Sequence, residues 1–423
     1  MRNVRVDTLG NGLRVISDSM DTVESVSVGV WIGAGTRYEE PAMNGVSHLL
    51  EHMVFKGTRR RDARAIAEEI EAVGGHLNAH TSREHTVFYA KVLKDDLRLA
   101  IDIIADIVQN AVLPPEELDR ERDVVVQEIM QSLDTPDDVI FDRFQAAAFP
   151  EQALGRSVLG VPERIREMPR EAIVGYLRGH YGAGRMVLAA AGRVDHEALL
   201  ELAAKAFETL PAGTDVPAEP GRYVGGDWRD DRPLEQVHLV MGFQGIPYRD
   251  PDLYAYSVLS SLLGGGMSSR LFQEAREKRG LVYSIYTFPE SYMDSGVFGI
   301  YAGTGAKEVE ELVPLICDQI NDVTDSVTDS VSDAEVARAR AQLKASILMS
   351  LESTSARCEQ VARQLLVFGR PLSESEIVAR IEAVDVAMVQ NAARRLTESR
   401  LTVAALGPLG RLEPFERTTA RFG

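Results

Sequence analysis

The same order of sequence patterns occurs twice along this chain, and this duplication restricts the possible folds more than any single motif does. The segment RMVLAAAG at residues 185–192 is echoed by RLTVAALG at residues 400–407. In the same way, ELDRERDVVVQEI at residues 117–129 is echoed by EVARARAQLKASI at residues 335–347, at nearly the same separation. Because strand-like and helix-like patterns recur together, we predict an α+β fold with two homologous domains, each a mixed or antiparallel sheet packed with helices.

The length of the chain agrees with this duplication, since 423 residues are too many for one hydrophobic core. A stretch rich in proline and glycine at residues 210–235 interrupts the helix and strand patterns, which is typical of a linker. We therefore predict an N-terminal domain over residues 1–209 and a C-terminal domain over residues 236–423.

Composition and charge argue against several classes of protein. No apolar run approaches the length that spans a membrane, and the first residues lack the apolar core and cleavage site of a secretory signal. The net charge of −18 argues against nucleic acid or an anionic membrane as partner and favours a cationic ligand. The two cysteines, Cys317 and Cys358, have no metal-like spacing, which indicates a reducing compartment. We predict a cytoplasmic protein that binds neither nucleic acid nor membrane.

A short motif in the first half has the residue types of a metal site. His48 and His52 are four residues apart on a segment with a helical pattern, so both imidazoles lie on one face and can chelate one ion. Glu51 lies beside that face, and the order of the residues is that of an inverted zincin. A five-residue pattern also arises by chance, so two surface histidines on an ordinary amphipathic helix are the competing interpretation.

A catalytic zinc takes three protein ligands and keeps one position for water, so a third ligand is expected downstream. Glu128 is the best candidate, because it ends a helical pattern and has apolar residues around it. Glu121 lies two helical turns earlier on the same face, where its carboxylate can orient the ligands. The alternative for both residues is a solvated carboxylate on a charged helix.

Five segments resemble the pitrilysin, insulysin and processing-peptidase family of zinc metallopeptidases, and they are most similar to the β subunits of mitochondrial processing peptidases and their bacterial homologues. They run through both halves and read GVSHLLEHMVFKGT, GGHLNAHTSREHTVFYAKV, EELDRERDVVVQEI, FDRFQAAAFPEQALGRSVLG and ARAQLKASILMSLESTSA. The resemblance implies a fold that is half of a clamshell and one Zn²⁺ per chain. It also implies that His48, His52 and Glu128 are the ligands, that Glu51 is the general base and that Glu121 orients the ligands.

The second copy of the duplicated unit lacks the metal residues, which agrees with one zinc site per chain in this family. Ser346 occupies the position that corresponds to Glu128, and residues 260–263 occupy that of the histidine motif. In the family, an arginine and a tyrosine seven residues apart in the metal-free half complete the active site. Arg276 and Tyr283 match that spacing and are implied to bind substrate and stabilise the oxyanion. A basic helix end followed by a strand tyrosine is the plainer interpretation.

The resemblance also implies where the substrate binds. The strand that contains Asn78 and Ala79 corresponds to an exposed edge strand that pairs with the substrate backbone. Asp138 and Asp142 lie four residues apart on a helical pattern and share one face. An acidic pair at this position binds arginine near the cleaved bond in processing peptidases, whereas a solvated acidic surface is the plainer interpretation. The run Gly264–Gly266 is expected to end a helix.

Together these interpretations predict a zinc metalloendopeptidase that hydrolyses extended peptides or presequence-like segments inside a closed chamber, with a preference for arginine near the scissile bond. The resemblance further implies a homodimer with composite active sites, because a two-domain chain must take Arg276 and Tyr283 from a partner. A non-catalytic structural or assembly subunit of the same fold is the main alternative, and a metal hydrolase acting on other bonds is the second. Peptide cleavage ranks first because the complete motif set is present.

Overall fold

The computed structural model describes residues 3–325 and 330–422, and contacts between Cα atoms divide the chain into two compact units. Unit 1 comprises Met1–Gln131, Arg156–Glu219 and Met349–Ser373. This unit therefore draws most of its residues from the first half of the chain and one segment from the second half.

Unit 2 comprises Ser132–Gly155, Pro220–Leu348 and Glu374–Gly423, so it takes one segment from the first half. The predicted domains, with a linker over residues 210–235, describe the duplication along the chain. The domain boundaries stay a prediction. The compact units are interleaved along the chain, because each includes a segment from the other half.

Strands and helices occur in both halves of the chain. The strands are β1 (Asn3–Thr8), β2 (Arg14–Ser19), β3 (Ser25–Ile32), β4 (His76–Thr81), β5 (Thr86–Leu93), β6 (Met186–Gly192), β7 (Gly226–Asp231), β8 (Val237–Gln244), β9 (Val282–Ser291), β10 (Gly296–Thr304) and β11 (Thr402–Gly407). The α-helices are α1 (Val46–Val54), α2 (Ala63–Glu71), α3 (Leu97–Asn110), α4 (Pro115–Leu133), α5 (Pro136–Ala148), α6 (Pro162–Glu167), α7 (Arg170–His180), α8 (His196–Ala206), α9 (Leu253–Gly264), α10 (Val309–Thr324), α11 (Asp333–Ser350), α12 (Thr354–Phe368), α13 (Glu374–Glu382), α14 (Val386–Thr397) and α15 (Phe415–Thr419). None of the helices in the described part of the chain is long and apolar enough to cross a membrane.

Unit 1 contains a six-stranded sheet in the order β1-β2-β6-β3-β5-β4. Strand β3, with the sequence SVSVGVWI, is rich in β-branched residues and buried over nearly its whole length, as expected for a central strand covered on both faces. Strands β2 and β6 are parallel, and the other neighbours are antiparallel. Within the described residues, β1 and β4 form the two edges, so β4 offers one free edge for a further strand.

Unit 2 repeats this topology with one strand fewer. Its sheet has the order β7-β11-β8-β10-β9, which corresponds to β2-β6-β3-β5-β4 of unit 1. The parallel pair recurs as well, because β7 and β11 run in the same direction, as β2 and β6 do. The repeated order and direction confirm the predicted α+β class and the duplication.

Two helices join the sheet formed mainly by the other half of the chain. In unit 1, α12 places Val361 in a core cluster with Trp31 of β3. In unit 2, α5 places Phe144 in a core cluster with Val240 of β8. Each helix has an apolar face, and the sequence does not specify which sheet that face covers.

Candidate metal centre and active site

Helix α1 carries the histidine motif, and buried polar contacts fix its first turn. It begins after Gly45, whose φ of 97° favours glycine, and a Cβ at this position would lie 2.6 Å from Cδ1 of Ile165. The buried carboxylate of Glu39 accepts the backbone N–H of Gly45 at 2.8 Å and that of Ser47 at 2.9 Å. A carboxylate at the start of a helix satisfies N–H groups that have no partner within the helix and complements the helix dipole. These contacts set the position from which the histidines project.

His48, His52 and Glu128 converge on one point. The two imidazole rings lie on one face of α1 with their centroids 4.8 Å apart. Glu128, on α4, has Oε2 3.7 Å from Nε2 of His48 and 3.4 Å from Nε2 of His52. One ligand atom of each residue lies within 4.8 Å of the others, so the three can hold one metal ion. Among the described residues, this is the one group of three or more His, Cys, Asp or Glu side chains with such an arrangement.

The donor set fits zinc. Two imidazoles and one carboxylate are ligands that catalytic zinc sites use, with a further position left for water. Burial and the neighbouring His52 lower the pKa of His48 to about 3, so its imidazole is neutral, the form that binds metal. Nδ1 of His48 is buried and lacks a hydrogen-bond partner within the residues that the structure describes, while Nε2 faces Glu128. The residues therefore match zinc in donor type and mutual distance, and His48 matches it in protonation as well.

A chain of contacts holds His52 through its other ring nitrogen. Nδ1 of His52 lies 3.0 Å from Oε2 of Glu121, and Oε1 of Glu121 lies 2.7 Å from Nζ of Lys56. Burial acts to raise the pKa of Glu121, but the hydrogen bonds with His52 and Lys56 outweigh it and lower that pKa, so the carboxyl is charged. A carboxylate in this position fixes the orientation of the ring. Sequence reasoning selected Glu121 and missed Lys56, although a spacing of four residues from His52 was a readable signal.

Glu51 lies on α1 and is partly buried beside the metal cluster. Its Oε2 accepts a hydrogen bond from the hydroxyl of Thr81 at 2.5 Å. Burial raises the pKa of Glu51 in spite of this hydrogen bond and of the neighbouring His52. A carboxylate with a raised pKa takes up and returns a proton more readily near neutral pH, as a general base must. Sequence reasoning missed Thr81, because 30 residues separate it from Glu51 and no motif connects them.

The edge strand β4 directs a backbone N–H away from its neighbour β5. The side-chain Oδ1 of Asn78 accepts the backbone N–H of Ala79 at 2.8 Å. The backbone N–H of Ser82 donates to the carbonyl oxygen of His85 at 2.8 Å, and N–H groups alternate in direction along a strand. The register therefore turns the N–H of Ala79 to the free edge of the sheet and that of Asn78 toward β5. Asn78 and Ala79 thus lie on an edge strand of the sheet, and their contact with substrate stays a prediction.

Arg276 and Tyr283 lie close together in unit 2. Arg276 belongs to a π-helical segment, Phe272–Glu277, and its Cζ lies 5.7 Å from the centroid of the Tyr283 ring. Tyr283 is near the start of β9, and the residue is 75% exposed. Short π-helical segments are rare and occur frequently at functional sites. The pair thus presents a guanidinium and a phenol on one accessible surface.

The acidic pair lies on the helix that its spacing predicts. Asp138 and Asp142 are one turn apart on α5, so their carboxylates share one face. The hydroxyl of Ser132 donates to Oδ2 of Asp138 at 2.7 Å. Helix α9 ends at Gly264, as expected for the run Gly264–Gly266.

Comparison with known proteins agrees with the donor set. Residues 14–161 match the family described as insulinase, peptidase family M16, and residues 167–343 match the M16 inactive domain. An uncharacterized zinc protease of Rickettsia felis is 37% identical over 407 residues, which cover 96% of this chain and 98% of that protein. A probable mitochondrial-processing peptidase subunit beta of Arabidopsis thaliana is 40% identical over 435 residues, which cover 99% of this chain and 81% of that protein.

Solved structures share the fold. A protease from Helicobacter pylori has a TM-score of 0.88 at 23% identity, over 96% of this chain and 100% of that chain. A chain of complex III2 from Candida albicans has the same TM-score of 0.88 at 23% identity, over 99% of this chain. The family matches and the relatives named zinc proteases confirm the resemblance seen in the motifs and the predicted zinc cofactor. This chain belongs to the insulinase family of peptidases, family M16.

Proposed function

We propose that the protein is a zinc metalloendopeptidase. The observation that carries this proposal is the convergence of His48, His52 and Glu128, with the carboxylate of Glu51 close enough to interact with two of them. The second matched domain is described as inactive, so we assign metal binding and proton transfer to residues of the first.

The chain's own side chains supply the proton transfers and the orientation of the site. When bound by His48, His52 and Glu128, zinc would act as a Lewis acid that polarises the scissile carbonyl and makes water acidic enough to react near neutral pH. Glu51 accepts a proton from the attacking water and delivers it to the leaving nitrogen as the peptide C–N bond breaks. Glu121 keeps the His52 ring in place through Nδ1.

The substrate is an extended peptide that adds to the sheet at the free edge of β4. The outward N–H of Ala79 supports this, because its present acceptor is the side chain of Asn78 rather than another strand. A carbonyl of the substrate would replace Oδ1 of Asn78, and the freed amide could then bond to the substrate. A site that reads backbone groups favours peptides over other hydrolysable ligands.

Arg276 and Tyr283 complete the active site in this proposal. A guanidinium and a phenol are donors suited to the negative charge that develops on the carbonyl oxygen. We propose that a second copy of the chain supplies them, so the working unit is a homodimer that encloses peptides in a chamber. Asp138 and Asp142 give a preference for arginine near the scissile bond. The cytoplasmic location stays a prediction from the sequence.

The competing function is a non-catalytic subunit, since a chain of complex III2 has the same fold. Similarity at that level of identity supports the fold alone. A scaffold has no use for a complete ligand set with a carboxylate beside it, and this favours catalysis.

Zinc analysis and a quenched-peptide library test the proposal on the wild type, Glu51→Gln and His52→Ala. We expect one zinc per chain with cleavage in the wild type, zinc with only a small residual rate of cleavage in Glu51→Gln, and neither zinc nor cleavage in His52→Ala. Arginine should be enriched near the cleaved bond, and the double variant Asp138→Asn with Asp142→Asn should abolish that enrichment. Substantial turnover by Glu51→Gln would contradict its role as base. A wild type that binds zinc and cleaves no peptide would favour the scaffold.

A further inference from the structure

The carboxylate of Glu51 receives its hydrogen bond from the strand that we propose to bind the substrate. The donor is Thr81, the last residue of β4, whose Oγ1 lies 2.5 Å from Oε2. Within the described ranges, no second hydrogen-bond donor contacts this carboxylate. The bond therefore links the edge strand to α1, the helix that carries two of the three proposed metal ligands.

Neighbouring groups determine the direction of this hydrogen bond. Thr86 is fully buried, and its hydroxyl donates to the carbonyl oxygen of Ala34 at 3.0 Å. Oγ1 of Thr86 lies 3.5 Å from Oγ1 of Thr81. The hydroxyl hydrogen of Thr86 is already donated to Ala34, so Thr86 does not donate to Thr81. A carboxylate only accepts, so the hydrogen of the Thr81 hydroxyl points to Glu51. The branched Cβ of threonine restricts rotation and holds the hydroxyl in this direction.

A fixed donor makes the two oxygens of the carboxylate unequal. The last torsion of a glutamate side chain is soft, so a free carboxylate samples a broad range of orientations. The hydrogen bond from Thr81 to Oε2 restricts this torsion, and Oε1 is left to exchange protons with the reacting groups.

We propose that Thr81 is a positioning residue for the general base, which fixes the Glu51 carboxylate and reserves Oε1 for proton transfer. This inference rests on the proposed peptidase function. Thr81 lies two residues after Ala79 on the same strand, so the pairing of a peptide with β4 and the orientation of the base depend on one element. A threonine that merely tied β4 to α1 would affect stability, zinc content or KM, whereas a positioning residue affects kcat.

The test compares Thr81→Val, which keeps the shape and lacks the hydroxyl, with Thr81→Ser, which keeps the hydroxyl. We expect kcat of Thr81→Val to fall about 10-fold to 100-fold, since a misdirected base loses much of the roughly 100-fold or greater gain that general bases supply. KM and zinc content should stay within about twofold, and Thr81→Ser should recover most of the rate. Thr81→Ala is a second variant without the hydroxyl, in case valine disturbs the strand.

Two controls separate positioning from other effects. Thr8 ends the opposite edge strand β1, and Thr8→Val should leave kcat unchanged. In the Glu51→Gln background, adding Thr81→Val should change the residual rate by less than about twofold, because the residue acts through Glu51. An unchanged kcat in Thr81→Val, no recovery in Thr81→Ser, or an equal loss in both backgrounds would overturn the inference. Substantial turnover by Glu51→Gln itself would instead overturn the role of Glu51 in the proposed function.

Discussion

We expect the affinity for zinc to depend on Glu121, although we do not assign this residue as a ligand. Glu121→Gln removes the negative charge that faces Nδ1 of His52 and Nζ of Lys56. We expect zinc affinity to fall about 10-fold to 100-fold, because the loss of contacts that orient a ligand typically has this effect. Competition with a chromogenic chelator measures the change.

Two lysines, one in contact with Glu121 and one in an exposed ion pair with Glu24, provide a graded control for this prediction. Lys56→Met should weaken zinc less than Glu121→Gln does, since it removes only the group that holds the carboxylate. Lys94→Met breaks an exposed ion pair with Glu24 and should leave zinc affinity unchanged. Equal affinity in the wild type and Glu121→Gln would show that the contact with His52 does not support the site.

The residues of the site differ in how far sequence alone predicts them. His48 and His52 follow from helical spacing, because both lie on one short helix and local geometry sets their separation. The position of Glu128 depends on how α4 packs, so spacing makes it only a candidate. Thr81 meets Glu51 through the packing of β4 against α1, and no local pattern encodes such a contact.

At the scale of the elements, the backbone N–H groups of β4 point in two directions. That of Ala79 points to the free edge, and that of Asn78 points toward β5. Ala79→Pro should leave fold and zinc content intact and raise KM for extended peptides about threefold to tenfold, because one hydrogen bond to the substrate backbone is lost. Asn78→Pro removes a bond inside the sheet and should lower Tm instead. Steady-state kinetics and thermal unfolding measure the two effects.

A short peptide that does not reach β4 is the control substrate for Ala79→Pro. A short peptide that spans the cleaved bond without covering β4 should have the same KM in the wild type and Ala79→Pro. An unchanged KM for long peptides in folded Ala79→Pro would contradict backbone pairing at this edge.

The sequence predicts where strands and helices occur better than it predicts which sheet each helix packs against. Alternation and helical periodicity identify the strands and helices, and their repetition identifies the duplicated α+β unit. The same patterns do not assign α12 to the sheet with Trp31 or α5 to the sheet with Val240. An amphipathic pattern shows that a face is buried, and the surface that buries it is a property of the whole fold.

For the whole molecule, composite sites predict recovery of activity in mixed dimers. His52→Ala and Tyr283→Phe should each be inactive alone. Under conditions of subunit exchange, equal amounts should regain about one quarter of the wild-type activity, because half of the dimers are mixed and each has one intact site. A peptide-cleavage assay measures the recovery, and native mass spectrometry verifies the exchange.

The control for this experiment mixes His52→Ala with Glu51→Gln. Both changes lie in the part of the site that the metal-binding chain supplies. Every site in the mixed dimer therefore carries one of the two changes, and no activity should return. Absence of recovery in the mixture of His52→Ala and Tyr283→Phe, with exchange demonstrated, would favour a chain that completes its own site.

The position of α12 in unit 1 has a consequence for how the chain folds during synthesis. The sheet face that contains Trp31 is complete in sequence once β6 has been made, but the helix that covers it is made much later. At about 5–20 residues per second, the intervening chain takes roughly 10–30 s to emerge, and over that interval the nascent protein exposes an apolar surface. We expect an early fragment that ends in the predicted linker, residues 210–235, to expose this surface and therefore to bind chaperones. Each compact unit takes a segment from the other half of the chain, so we expect neither sheet to be fully covered until nearly the whole chain has left the ribosome.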